Sequence, residues 1–193
     1  MTRIGILGGT FNPIHIGHLT IAEMARERMS LDKVIFIPSY LPPHKSGKDI
    51  ASAIDRYRML RLAVQGNPKF DVSDFEIKKE GKSYSVDTVR HLRKKNPRAA
   101  KFFFIIGSDL LPGLHTWKNI EELKKMVVFI SVNRPGFRGK PTRIKVRSVS
   151  VPGLQTSSTF ARRRLLTGKT VKYLVPDKVL DYIRKNKLYK KRH

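Results

Sequence analysis

Short runs of apolar residues alternate along this chain with longer segments whose apolar positions recur every three or four residues. Ile4-Gly5-Ile6-Leu7 is the first run. Lys33-Val34-Ile35-Phe36-Ile37-Pro38, Lys101-Phe102-Phe103-Phe104-Ile105-Ile106 and Met126-Val127-Val128-Phe129-Ile130-Ser131-Val132 follow. Continuous branched or aromatic runs of this length predict strands buried on both faces, as in a parallel sheet. Helical spacing predicts helices over 19–29, 53–65, 85–95, 120–125, 156–166 and 177–186, the last entered through Pro176. Phe70 to Ser73 and Phe75 to Ile77 predict a further strand region, and Ile144 to Val146 and Val149 to Val151 two short late strands. No internal repeat or low-complexity segment interrupts the series. Strands alternating with helices predict an α/β fold built on a doubly wound parallel sheet.

Composition narrows the class. With 193 residues and 40% hydrophobic content, the chain suits a single domain, 1–193, with a helical C-terminal part over about 157–193. It has no Cys, so neither a disulfide framework nor a thiolate metal site is expected. No apolar stretch is long enough to cross a bilayer, and Met1-Thr2-Arg3-Ile4 leads straight into a strand without a signal-peptide pattern. A cytoplasmic protein with no membrane partner is expected.

The charge is extreme: 40 Lys and Arg against 15 Asp and Glu give +25. Such a field attracts nucleic acids or steers small anionic substrates. The basic residues are spread over the whole chain, in Lys78-Lys79, Arg93-Lys94-Lys95, Arg162-Arg163-Arg164 and elsewhere. Aromatic residues are not interleaved with them as in a base-stacking platform. Small phosphorylated substrates are therefore favoured, with no specific nucleic acid.

The candidate chemistry sits just after the first strand. Gly8-Gly9-Thr10-Phe11-Asn12-Pro13-Ile14-His15-Ile16-Gly17-His18-Leu19 joins that strand to the first helix. In alternating folds this junction binds nucleotide phosphates. Glycines let backbone N–H groups approach an anion, and histidines at i and i+3 share one side of a helical turn. An ordinary tight turn with two solvated histidines is the plain alternative.

A second cluster is Thr156-Ser157-Ser158-Thr159-Phe160-Ala161-Arg162. Three hydroxyls at a helix start present donors beside unpaired N–H groups, and Arg162 follows one turn later. Seen alone it reads as an N-cap with solvated arginines. Polar turns after Leu7, Ile37, Ile106 and Val132 all fall at strand carboxyl ends, where such sheets bind ligands.

These residues carry a resemblance. Gly-Gly-Thr-Phe-x-Pro-x-His-x-Gly-His resembles the signature of the nucleotidyltransferase superfamily with a His-x-Gly-His element, and most resembles the nicotinate mononucleotide adenylyltransferase family. Ser157-Ser158-Thr159-x-x-Arg162 is similar to that family's second signature. Pro42-Pro43-His44-Lys45, the segment 81–88, Ile106-Gly107-Ser108-Asp109, Thr116-Trp117, Arg134-Pro135 and Leu188-Tyr189 fit in order over nearly the whole chain. Asn12 stands where the family often has Asp, and either side chain can cap the turn. Ala161 replaces the usual Ile, and Gln155-Thr156 replaces a more apolar pair.

The resemblance implies a Rossmann-like fold of the adenylyltransferase type. It implies AMP transfer from ATP to nicotinate mononucleotide, releasing pyrophosphate and giving deamido-NAD. His18, His15 and Arg162 would be catalytic. ATP would be held by Gly8, Gly9, Thr10, Phe11, His15, His18, Gly107, Asp109, Arg134, Ser157, Ser158, Thr159 and Arg162. The mononucleotide would be held by Ser39, Lys45, Ser85 and Trp117. Mg²⁺ would be carried on the ATP phosphates, with no protein ligand set.

Trp117 suits stacking on a pyridine ring, although a sole Trp also serves as core. A nicotinate carboxylate suits the helix start near Ser85 and the positive Lys45, which favours the acid over the amide. His91 and His193 are expected on solvated faces. Oligomeric state is left open, with a homodimer among the options. An adenylyltransferase for nicotinamide mononucleotide, pantetheine phosphate or FMN is the near alternative. An RNA-binding module or tRNA-synthetase fragment is the distant one. The reading requires His18 and Arg162 on one face of the molecule.

Overall fold

The structure, a computed structural model, describes residues 1–41, 50–96, 99–133, 143–152 and 156–190. Six parallel strands form one sheet in the order β3-β2-β1-β4-β5-β6. They are β1 (Arg3–Gly9), β2 (Lys33–Pro38), β3 (Phe70–Val72), β4 (Lys101–Gly107), β5 (Val127–Val132) and β6 (Val146–Val149). The helices are α1 (Ile16–Arg28), α2 (Ala53–Val64), α3 (Phe75–Lys79), α4 (Ser85–Lys95), α5 (Ile120–Met126), α6 (Ser158–Leu166) and α7 (Asp177–Lys185). Strand order reverses between β1 and β4, the doubly wound arrangement in which the ligand crevice opens beyond that reversal.

Side chains alternate across each strand, and both faces of β1, β2, β4 and β5 are buried. Val34, Phe36, Phe103 and Ile105 point to one side, where Ala22 and Ala25 of α1, Leu60 of α2 and Val179 and Ile183 of α7 cover them. Ile35, Ile37, Phe102 and Phe104 point to the other, against Val89 and Leu92 of α4 and Leu123 of α5. This two-sided burial is why the strands read as unbroken apolar runs. Gly5 has no room for a side chain: a Cβ there would lie 2.9 Å from Leu31. No described helix is long and apolar enough to cross a membrane.

Four local expectations change. Phe75 to Ile77 is not strand but the short helix α3, in which Lys78 reaches back to Asp74 at 2.7 Å and Glu76 and Ile77 turn inward. Three apolar-polar residues cannot distinguish the two periods; the i,i+4 ion pair fits only the helix. The two late strands are one, β6. Helix α1 starts at Ile16 rather than 19, because the motif itself supplies the cap. Helix α6 starts at Ser158 with Ser157 as its cap, so Thr156 lies outside it.

Candidate active site

The loop after β1 is built by close packing. Gly8 and Gly9 pair with Ile37 and Pro38 of β2. A Cβ on Gly9 would sit 3.0 Å from the ring of Phe11. Phe11 is buried, with φ +48°, and its ring meets His18 edge-on at 5.0 Å. The Asn12–Pro13 bond is cis.

His15 then caps α1 in an extended conformation and is buried, so it is not one of two solvated histidines. Its backbone N–H donates to Nδ1 of His18 at 3.3 Å, and the two rings lie 3.7 Å apart. With Nδ1 accepting, a neutral His18 carries its proton on Nε2 and is a donor there.

The glycine between the histidines has a specific reason. A Cβ on Gly17 would come within 2.9 Å of the methyl of Thr156 and 3.0 Å of Nδ1 of His15. The second cluster is thus packed directly on the first. Ser158 Oγ donates to the Pro13 carbonyl at 2.9 Å, and Arg162 Nη1 donates to the Asn12 carbonyl at 2.9 Å. Ser157 Oγ accepts from the Phe160 N–H at 3.1 Å, while Ser157 and Thr159 are exposed. His18 and Arg162 therefore meet the same loop, as required.

The other candidates gather at neighbouring strand ends. Gly107 closes β4 opposite Val132, and half-buried Asp109 opens a 3-10 helical stretch, Ser108–Thr116, where a simple loop was expected. Trp117 ends that stretch, half-buried, its ring edge-on to Phe104 at 5.7 Å. It is neither a full core residue nor fully exposed. Ser39 is buried at the end of β2, its N–H donating to the Gly9 carbonyl at 3.0 Å. Ser85 begins α4 behind Tyr84, the helix cap. Lys45 and Arg134 lie outside the described residues, as do Pro42-Pro43-His44, Gln155 and His193.

Three residues escaped the sequence reading. Buried Arg56 donates to the carbonyls of Ala51, Thr10, Ser39 and Tyr40 at 2.7–3.0 Å. Glu76 is buried, accepts from Thr88 Oγ1 at 2.5 Å, and has its carboxyl pushed above the usual range by burial. Tyr189, matched by order in the sequence but given no role, donates its hydroxyl to Asn12 Oδ1 at 2.7 Å, and burial raises its pKa. Asn12 is therefore more than a turn cap: its Oδ1 also accepts from the Ala51 N–H at 3.0 Å and so joins the loop to the chain's end. His91 corrects an expectation too. It stacks on Phe75 at 3.9 Å, and burial lowers its pKa.

A loop of glycines and histidines at the sheet's reversal, faced by a hydroxyl-rich helix start and an arginine, is suited to hold a polyphosphate. The family model described as cytidylyltransferase-like matches residues 6–164, and the chain belongs to that family. Its curated relatives include proteins named "Probable nicotinate-nucleotide adenylyltransferase". The one from Oceanobacillus iheyensis is 45% identical, over 98% of this chain and 97% of its own. That from Exiguobacterium sibiricum is 46% identical, over 97% of this chain and 98% of its own. Among solved structures, the Plasmodium falciparum nicotinic acid mononucleotide adenylyltransferase complexed with NaAD superposes with TM-score 0.79. It covers 98% of both chains at 22% identity, which speaks for the shared fold.

Proposed function

We propose that this chain is a nicotinate-nucleotide adenylyltransferase, joining the AMP of ATP to nicotinate mononucleotide with loss of pyrophosphate. Full-length relatives of that name at 45–46% identity support the reading. The observation that carries it is the contact of α6 with the loop after β1, through Ser158 to Pro13 and Arg162 to Asn12. That contact gives one crevice both of the phosphate-binding elements foreseen in the sequence.

The acceptor's phosphate is already an anion at neutral pH, so the reaction needs no general base. Alignment of the two substrates and neutralisation of charge on the transferred phosphoryl group are the protein's tasks. His18 donates to the α-phosphate. Gly8, Gly9, Thr10 and Phe11 offer backbone at the phosphate chain, and Gly107, Asp109 and Arg134 complete the ATP side. Ser157, Ser158, Thr159 and Arg162 take the outer phosphates. Ser158 and Arg162 would share or release their present carbonyl partners to do so.

Ser39, Lys45, Ser85 and Trp117 form the acceptor side. Its nicotinate carboxylate suits the N-terminus of the eleven-residue α4. Among the described residues no three His, Asp or Glu side chains gather into a metal cage. The donor set fits Mg²⁺ carried by phosphate oxygens and water, where it would offset triphosphate charge. These substrates suit work in the cytoplasm.

The decisive assay measures deamido-NAD and NAD formation from ATP with nicotinate and nicotinamide mononucleotides in parallel. A kcat/KM at least about tenfold higher for the acid is expected from one carboxylate contact. Equal efficiency with the amide would overturn the acceptor assignment.

A further inference from the structure

Arg56 is 1% exposed, deeper than any other charged side chain among the described residues. Its guanidinium reaches three chain segments: Nε to Ala51 O at 3.0 Å, Nη1 to Thr10 O at 2.9 Å and Ser39 O at 2.7 Å, and Nη2 to Tyr40 O at 2.9 Å. No described carboxylate forms an ion pair with it. A buried cation satisfied only by neutral carbonyls keeps its charge unbalanced, and burial of that kind is expensive. Arginine stays protonated even when burial lowers its pKa, as it does here.

The three segments are not equivalent. Thr10 belongs to the loop after β1. Ser39 and Tyr40 belong to the chain leaving β2. A second set of contacts holds that same stretch. The Tyr40 N–H donates to Ser83 Oγ at 3.1 Å, and Leu41 bridges to Lys82, just before α4. The short stretch 39–41 is thus gripped by Arg56 on its carbonyls and by 82–83 on its other edge. The triphosphate elements of α6 contact Asn12 and Pro13 instead.

We propose that Arg56 is a positioning residue for the acceptor half of the site. It fixes the 39–41 stretch, which carries Ser39 of the acceptor side, against the phosphate loop. The inference rests on the adenylyltransferase reading. Its signature is asymmetric: the acceptor loses more than ATP does, since Arg56 makes two bonds to residues 39–40 and one to Thr10 of the phosphate loop.

The test uses the full chain and two variants. Arg56→Lys keeps the charge but cannot present a planar fork to four carbonyls. Ser83→Ala loosens the opposite edge of the same stretch and leaves Arg56 in place. Thermal melting establishes folding, and steady-state kinetics give KM for ATP, KM for the mononucleotide that the parent uses, and kcat. For folded Arg56→Lys, the acceptor KM should rise about tenfold or more, as for a misplaced substrate-facing loop. Its ATP KM should rise clearly less than that, although Arg56 also bonds the Thr10 carbonyl of the phosphate loop. Ser83→Ala should raise the acceptor KM about threefold by loss of its bond to the Tyr40 N–H, along with the one to Glu76. Unchanged constants, or equal rises in both KM values, overturn the role of Arg56. Should Arg56→Lys fail to fold, Ser83→Ala decides: an acceptor-only rise supports the proposal, and no asymmetry sinks it. A parent that adenylylates neither mononucleotide defeats the functional reading and this inference together; an active parent with symmetric variants defeats this inference alone.

Discussion

The two halves of the proposed site are built differently. The triphosphate half comes from two compact sequence elements, residues 8–18 and 157–162, that touch through a few contacts: Ser158 to Pro13, Arg162 to Asn12, Thr156 against Gly17. The described residues of the acceptor half are scattered singles, Ser39 after β2, Ser85 at the start of α4 and Trp117 at the end of the 3-10 stretch, and polar side chains not themselves expected to touch substrate hold them together. Arg56 and Glu76 are those side chains. The first half depends on a loop whose glycines, histidines and hydroxyls stand at fixed spacing in the chain. The second depends on tertiary burial of charge, which leaves no local pattern.

The largest expected effect falls on the first half. His18→Ala removes the donor aimed at the transferred phosphate and should lower kcat by about 10²–10³, as for loss of one preorganised transition-state donor. The melting temperature should fall by a few degrees at most, since the variant also leaves the His15 N–H without its Nδ1 partner. Steady-state turnover with saturating ATP and acceptor checks this. Near-normal turnover would mean that the His-x-Gly-His loop only binds ATP, and the contrast between the halves would vanish.

That contrast also explains what could be read in advance. The sheet was legible because both its faces are covered, which made each long strand an unbroken apolar run. The two motifs that α6 and the loop after β1 bring together were legible because their residues recur at the fixed spacing that anion binding at a helix start would need. Helix α3 was not, since Phe75 to Ile77 is too short to show a period. Arg56 was not, since in sequence it is one arginine of a helix with several, and only the folded chain brings four carbonyls around it. Asn12 was half legible. Its place in the motif was plain, but its bond to Tyr189, far along the chain, was not.

Asn12 sharpens the comparison at intermediate size. Its Oδ1 accepts from both the Ala51 N–H and the Tyr189 hydroxyl. Asn12→Ala would leave two part-buried donors without that partner, at about 1–3 kcal/mol. For a chain of this length that is a fall in Tm of roughly 2–4 °C per kcal/mol. Asn12→Asp keeps the acceptor oxygen and should hold both Tm and turnover close to the parent's. If Asp were as damaging as Ala, the link to the C-terminal segment would not be what fixes this loop.

The smallest effect tests the acceptor half's other buried group. Glu76 accepts from Thr88 Oγ1, and Ser83 also bonds to it; both contacts favour the carboxylate, but burial outweighs them and its pKa is raised. A raised pKa in the folded chain means that folding favours the proton. The associated stability is full below the ordinary carboxylate pKa and is lost as pH rises through the raised value. Glu76→Gln cannot ionise, so it should escape that loss while keeping an oxygen for Thr88. The difference in Tm, variant minus parent, should therefore grow more positive from about pH 4 to about pH 8. Its acceptor KM at neutral pH should move less than that of Arg56→Lys, because Glu76 reaches the 39–41 stretch only through Ser83. A difference that is flat with pH, or that falls, would show that Thr88 and Ser83 hold Glu76 as a stable carboxylate, and that the acceptor half rests on a balanced pair of opposite buried charges.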